Sequence, residues 1–352
     1  MERHARLTGG EGLKAPGPAM RRYGKHSDED DVRIRPERRG SRPRTHRRPK
    51  HEDASEGMVL TVDRGRITCL VEGRTVTAMK ARELGRKGVV VGDRVAVVGD
   101  LSGAKDTLAR IVRVEPRRSV LRRTADDDDP HERIVVANAD QLAIVTALAD
   151  PEPRPRLIDR CLVGAFDAGL EPLLILTKSD LASAGPLLET YAPLGIRYLV
   201  TSADQLAEGA ARQVRELLRD RITALVGHSG VGKTTLVNAL VERQRATGVV
   251  NAVTGRGRHT TTSALALPLP GDGGWVIDTP GVRSFGLNHI DPSRVINAFP
   301  DLEPGTAGCP RACGHDEPDC ALDAWVADGH ADPARLYSLR RLLSTRERRE
   351  GD

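Results

Sequence analysis

Gly227-His228-Ser229-Gly230-Val231-Gly232-Lys233-Thr234 fits the pattern G-x-x-x-x-G-K-[ST], and what stands before it decides the fold. Upstream lies Thr177-Lys178-Ser179-Asp180, which has the form of the [TN]-K-x-D motif that reads a guanine base. Downstream lies Asp278-Thr279-Pro280-Gly281, a D-x-x-G. The usual order is phosphate loop, first switch, D-x-x-G, base motif. Here the base motif comes first. The same pocket can be assembled from this permuted order, but its switch segments then adjoin whatever follows in the chain.

The surroundings of these motifs support the reading. Strand patterns run over 141–148, 172–177, 196–201 and 221–226, with further short runs at 263–267 and 275–277. Helical patterns cover 157–168, 205–219 and 233–241. Such alternation predicts a parallel sheet covered on both faces, with ligands beyond the carboxyl ends of the strands. The base motif, Thr201-Ser202-Ala203 and the phosphate loop each fall at such an end.

Each motif implies its own chemistry. Glycines let successive backbone N–H groups converge on phosphate oxygens at a helix N-terminus. Lys233 is expected to reach the outer phosphates, and Thr234, followed by Thr235, to offer its hydroxyl to Mg2+. Asp180 is expected to accept from the guanine N1–H and exocyclic amine, which adenine does not present on that edge. Lys178 would pack its stem over the base, and Ser202 and Ala203 would line its far side. Asp278 would hold Mg2+ through a water, and the Gly281 N–H would sense the γ-phosphate. Residue 282 is Val, which cannot orient an attacking water. The stretch Gly255-Arg256-Gly257-Arg258-His259-Thr260-Thr261-Thr262 occupies the place of the first switch. Its threonines, Thr261 among them, can meet Mg2+ and phosphate. His259 is a candidate to orient water, although a lone histidine is more often structural.

Three of the five cysteines crowd together as Cys309-x3-Cys313-x-His315-x4-Cys320. Four soft ligands with Pro310 and Gly314 bending the chain suit a closed tetrahedral Zn2+ site, structural rather than catalytic. Redox thiols or chance clustering are the rival readings. Cys69 and Cys161 sit in apolar patterns and read as small core residues.

The N-terminal part is of a different kind. Residues 1–55 show no sustained apolar period and are expected to stay disordered. Over residues 33–50, Arg33, Arg35, Arg38, Arg39, Arg42, Arg44, Arg47, Arg48 and Lys50 stand against one acid, Glu37, within a chain of net charge +5. Such a run attracts a polyanion, or merely solvates a tail. Short β-rich runs at 58–62, 66–71, 75–79, 94–98 and 108–114 suggest a small barrel of the OB type. It has no aromatic residue for base stacking, so contacts to nucleic acid there would be Arg and Lys to phosphate. Arg122-Arg123-Thr124, then Asp126–Asp129 with Pro130, reads as a linker whose acidic run is a solvated loop. No run of apolar residues is long enough for a membrane span, and no secretory core opens the chain, so a cytoplasmic protein is expected. Beyond the cysteines, helices are expected at 321–327 and 333–348.

Together, the order of barrel, TKSD, TSA, GHSGVGKTT, GRHTTT, DTPG and Cys-Cys-His-Cys resembles the circularly permuted ribosome small-subunit-dependent GTPase A (RsgA) family over roughly residues 56–345. The resemblance implies GTP hydrolysis stimulated by the small ribosomal subunit, zinc on Cys309, Cys313, His315 and Cys320, and a catalytic part for His259. Two features depart from the family. Thr177 stands where Asn is common, and both zinc spacings are one residue shorter than the common C-x4-C-x-H-x5-C.

The expectation is thus a multi-domain α/β protein. A basic arm (1–55) precedes an OB-like barrel (56–120), a circularly permuted P-loop GTPase domain (130–288) and a C-terminal helical zinc-binding region (289–352). Its partner would be the small ribosomal subunit, its state monomeric, and its cofactors GTP or GDP, Mg2+ and one Zn2+. GTP cleavage would release it, the D-x-x-G segment setting the orientation of the zinc region that follows. Two rivals stand beside it: an ATP-using P-loop enzyme, and an RNA-binding zinc protein in which nucleotide is a structural plug.

Overall fold

The computed structural model describes residues 51–345 apart from 64, 86–87, 125–131, 242–263, 281–286 and 288–291. The basic run 33–50, the acidic run 126–129, His259, Thr261, Gly281 and Val282 lie outside the described residues.

The barrel is built from β1 (Ser55–Asp63), β2 (Arg66–Val71), β3 (Arg74–Lys80), β4 (Arg94–Gly99) and β5 (Ala109–Val114). Its order is β1-β2-β3-β5-β4, and a β1–β4 pairing closes it. β3 and β5 run parallel and the other pairs antiparallel. Inward positions alternate along each strand and fill the interior with small β-branched and aliphatic groups, among them Val59, Cys69, Val76, Val97 and Ile111. Cys69 lies in this core, as its apolar pattern predicts.

A hairpin of β6 (Val120–Thr124) and β7 (Glu132–Ala137) follows. The sequence reading placed residues 122–124 in a linker, and the structure corrects this. Basic side chains hid a strand whose Leu121 is buried in the core against Val136. Asn138, in the left-handed region at φ 57, then joins the parts. Its amide accepts from Arg118 N at 2.8 Å and donates to Gly92 O at 2.9 Å. Only glycine fits at position 92, because a Cβ there would lie 2.1 Å from the Ala137 carbonyl oxygen.

The second part is a sheet of β8 (Gln141–Ala147), β9 (Glu171–Thr177), β10 (Arg197–Val200), β11 (Arg221–Val226), β12 (Leu265–Pro268) and β13 (Gly274–Asp278). The order is β10-β9-β8-β11-β13-β12, parallel except for antiparallel β12. β12 also pairs with β1, Thr61 opposite Leu265, so the barrel and the nucleotide domain share one continuous sheet.

Period-two alternation divides this sheet between two cores. Leu142, Ile144, Leu174 and Leu176 face one of them, which α1 (Pro155–Asp167) covers. Ala143, Val145, Leu173 and Ile175 face the other. That second face is covered by α4 (Ala211–Leu218) and α5 (Lys233–Val241), while the short α3 (Ala203–Gln205) ahead of α4 is exposed. The helix expected over 205–219 is interrupted. A π-helical turn, Leu206–Ala210, separates α3 from α4, with Gly209 at φ 134. A short α2 (Gly185–Tyr191), lacking a full apolar period, escaped the sequence reading.

The C-terminal region adds α6 (Pro292–Ile296), a 3-10 turn (Glu303–Gly308), α7 (Ala321–Ala327) and α8 (Pro333–Ser344). Phe299, Leu302, Leu322, Leu339 and Leu342 join the same apolar cluster as Ile144, Leu162 and Leu174. Phe299 is fully buried and meets Phe166 of α1 edge-on, ring centres 6.3 Å apart. The zinc-motif region is therefore packed onto the α1 face of the sheet.

Candidate nucleotide and metal sites

Four strand ends define the first site: β9 at Thr177, β10 before Thr201, β11 before Gly227, and β13 at Asp278. Three of these turns are bonded to one another. Thr177 Oγ1 donates to the Val231 carbonyl in the phosphate loop at 2.6 Å, with the Thr146 carbonyl 3.2 Å away. Ser179 N donates to Thr201 O at 3.2 Å, which ties the base motif to the Thr201-Ser202-Ala203 turn. Thr279 Oγ1 donates to Leu225 O at 2.6 Å, which fixes the D-x-x-G segment beside the strand that enters the phosphate loop.

The phosphate loop is shaped by its glycines. A Cβ on Gly227 would lie 2.2 Å from the Val145 carbonyl oxygen. Gly230 and Gly232 sit at φ 83 and 91, in the left-handed region. Val231 points into the core, which anchors the loop, while Ser229 and Gly230 remain exposed. The His228 ring donates from Nδ1 to the Ser229 carbonyl at 2.9 Å. Lys233 folds back over the loop and donates to Gly227 O at 2.7 Å. Burial lowers the pKa of its ammonium, and Asp278 partly offsets this. Burial likewise raises the Asp278 carboxyl, and Lys233 opposes it. Asp278 Oδ1 is buried with no hydrogen-bond partner among the described residues. A buried orphan oxygen is costly unless something takes it up. With the exposed Thr234 and Thr235 hydroxyls opening α5, it gives an oxygen donor set that fits a hard divalent cation such as Mg2+.

On the base side, Asp180 is exposed and sits in the turn after β9. Lys178 takes φ 57, and its ammonium donates to the Asp150 carbonyl in the turn after β8. Ser202 caps α3 in a reciprocal box with Gln205, at 3.2 and 3.1 Å. Its hydroxyl is thereby occupied. Sequence reasoning missed three groups here: the tethering role of Thr177, the Thr279 bond to Leu225, and the Asp150 carbonyl that catches Lys178. Only the short D-T-P-G string hinted at the second.

The other cluster is the expected one. One ligand atom from each of Cys309, Cys313, His315 and Cys320 lies within 4.8 Å of the others. Cys309 Sγ is 3.7 Å from His315 Nδ1 and 3.9 Å from Cys320 Sγ. Zn–S bonds of about 2.3 Å in a tetrahedron place sulfurs about 3.8 Å apart, so the donors fit zinc. Ala312 and His315, on either side of Cys313, take the left-handed region, at φ 60 and 68. Arg340 Nε donates to the His315 carbonyl at 2.7 Å, and the same guanidinium forks onto Asp323 at 2.9 and 2.7 Å. Glu317 accepts from Gly314 N at 2.8 Å and from the Cys313 thiol at 3.3 Å. The Gly314 amide, chiefly, holds its carboxyl down at about 2.

A phosphate loop and a base motif in inverted chain order, bonded through Thr177, define a circularly permuted P-loop GTPase. Residues 114–288 match the family described as RsgA GTPase. The chain is 38% identical over 298 residues to a small ribosomal subunit biogenesis GTPase RsgA of Chlorobaculum parvum, covering 82% of this chain and 94% of that one. It is 36% identical over 288 residues to that of Gemmatimonas aurantiaca, covering 81% and 92%. The crystal structure of YjeQ from Thermotoga maritima superposes with a TM-score of 0.61 at 28% identity, covering 84% of this chain and 99% of that one. YloQ, a circularly permuted GTPase, has a TM-score of 0.59 at 22% identity, covering 87% and 99%, and shares the fold. The chain belongs to the RsgA GTPase family.

Proposed function

We propose that this protein hydrolyses GTP in the maturation of the small ribosomal subunit, binding the subunit and leaving it when GTP is cleaved. The observation that carries the nucleotide reading is the Thr177–Val231 hydrogen bond, which sets the base motif against the phosphate loop. Relatives named for small-subunit biogenesis supply the setting.

In this reading, Asp180 accepts from guanine N1–H and the exocyclic amine. The base lies between the Lys178 stem and the Ser202-Ala203 turn, and an adenine would leave the carboxylate unpaired. Backbone N–H groups of residues 228–234 hold the phosphates, and Lys233 exchanges the Gly227 carbonyl for phosphate oxygens. Thr234 and Asp278 would hold Mg2+, which supplies charge neutralisation on the outer phosphates. Thr261 and the Gly281 N–H would meet the γ-phosphate, and His259 would orient water. Cys309, Cys313, His315 and Cys320 would hold a structural zinc. The protein would work in the cytoplasm as a monomer. Among the described residues no helix is long and apolar enough to cross a membrane.

The test is phosphate release from GTP and from ATP, with and without purified small ribosomal subunits. The reading expects GTP-specific turnover that rises with subunits. Turnover of ATP, or none under any condition, contradicts it.

A further inference from the structure

One helix, α8, is bonded both to the zinc motif and to the segment 190–193 that follows the base motif. Arg340 holds the metal-ligand loop through the His315 carbonyl. Two neighbouring arginines grip the segment that follows the base motif. Arg335 Nη1 donates to the Pro193 carbonyl at 2.7 Å, and its Nε to Asp301 at 2.5 Å. Arg341 Nη1 donates to the Thr190 carbonyl at 3.2 Å, and its guanidinium lies over the Tyr191 ring at 4.8 Å. Arg341 also faces the buried Asp159 of α1 at 3.3 Å, as an ion pair without an aligned hydrogen bond.

These contacts reach the base pocket along two short paths. Thr190 and Tyr191 end α2, whose first residue, Gly185, lies just beyond Asp180 in the chain. The Tyr191 hydroxyl donates to Pro155 O at the start of α1, 3.1 Å away. The turn before Pro155 contains Asp150, whose carbonyl takes the Lys178 ammonium. Both Asp180 and Lys178 are thus seated on elements that α8 clamps. Stacked and carbonyl-bound guanidinium groups hold geometry in a way that a lysine would not.

Resting on the guanine-binding reading above, we infer that Arg341 and Arg335 are positioning residues for base recognition, so that the zinc region acts on guanine selectivity through α8. They touch no nucleotide and act through α2 and α1.

The test measures dissociation constants of GDP and IDP on the full chain. IDP lacks the exocyclic amine, so the IDP/GDP ratio reports how well Asp180 is seated. Arg341→Ala and Arg335→Ala should weaken GDP by about 3- to 10-fold, within the range of coupling through packed elements. IDP should weaken less, so the ratio falls. An unchanged ratio in variants that retain the wild-type melting profile overturns the inference, whatever happens to absolute affinity. Asp180→Ala serves as the reference. If it leaves the ratio intact, the base reading itself fails and takes this inference with it. Should the alanine variants not fold, hydrogen exchange on the unaltered protein decides. GDP should slow exchange in residues 334–344, because coupling is reciprocal, and no slowing overturns the proposal.

Discussion

The Thr177 hydroxyl and the Val231 carbonyl are 2.6 Å apart across 54 residues of chain, and this bond closes the nucleotide pocket. A single hydroxyl performs the tethering between the base motif and the phosphate loop.

Thr177→Val keeps the shape and deletes the donor. It removes the hydroxyl donor from the Val231 carbonyl, a loss of about 1–3 kcal/mol. GDP affinity should fall accordingly in a titration, while Thr177→Asn, which restores a donor, should stay near the unaltered protein.

Asp278 carries a conflict between stability and activity. Its buried Oδ1 has no hydrogen-bond partner among the described residues, and burial raises its pKa against the pull of Lys233. Asp278→Asn should therefore melt no lower than the unaltered chain in the absence of nucleotide, and GTP hydrolysis should nevertheless be lost. A lowered melting temperature would show that the carboxylate has a structural partner.

Asp159 gives a pH signature. Burial raises its carboxyl to about 6 from 3.8, against the pull of Arg341. Between those values the folded chain binds more protons than the unfolded one, so this group's contribution to stability falls as pH rises. Asp159→Asn removes that loss. Its stability relative to the unaltered chain should improve by up to about 3 kcal/mol from pH 4 to pH 7 in urea melts. A constant difference would contradict the burial argument.

The cysteine cluster is expected to act on folding. Cys309→Ser should lower the zinc content measured by elemental analysis. It should also destabilise the packing of α7 and α8, by on the order of several kcal/mol, since metal binding contributes directly to folding. Because α8 packs on α1, the loss should appear in the global melt.

What was legible in the sequence follows from the range of the physics. The phosphate loop, β8, β9 and the barrel strands were readable because alternation and glycine placement are local. Gly92 and Gly227 are each required by a close backbone oxygen, and both stand in recognisable turns. The β6–β7 hairpin was missed because Arg122 and Arg123 look like a linker, and its burial depends on Val136 from another strand. The α3–α4 break at Gly209 resembled one continuous helix. The base and zinc motifs were legible as strings, but their connection through Arg335, Arg340 and Arg341 was not. A basic helix end reads as solvated until the carbonyls it meets are known.

The most direct measurement compares GDP with XDP binding for the unaltered chain and Asp180→Asn. Xanthine replaces the guanine amine with a carbonyl, so an amide at 180 can donate where the carboxylate only accepts. The account predicts that GDP preference gives way to XDP preference in the variant. If Asp180→Asn still prefers GDP, Asp180 does not face the base, and the single pocket built from permuted motifs is wrong.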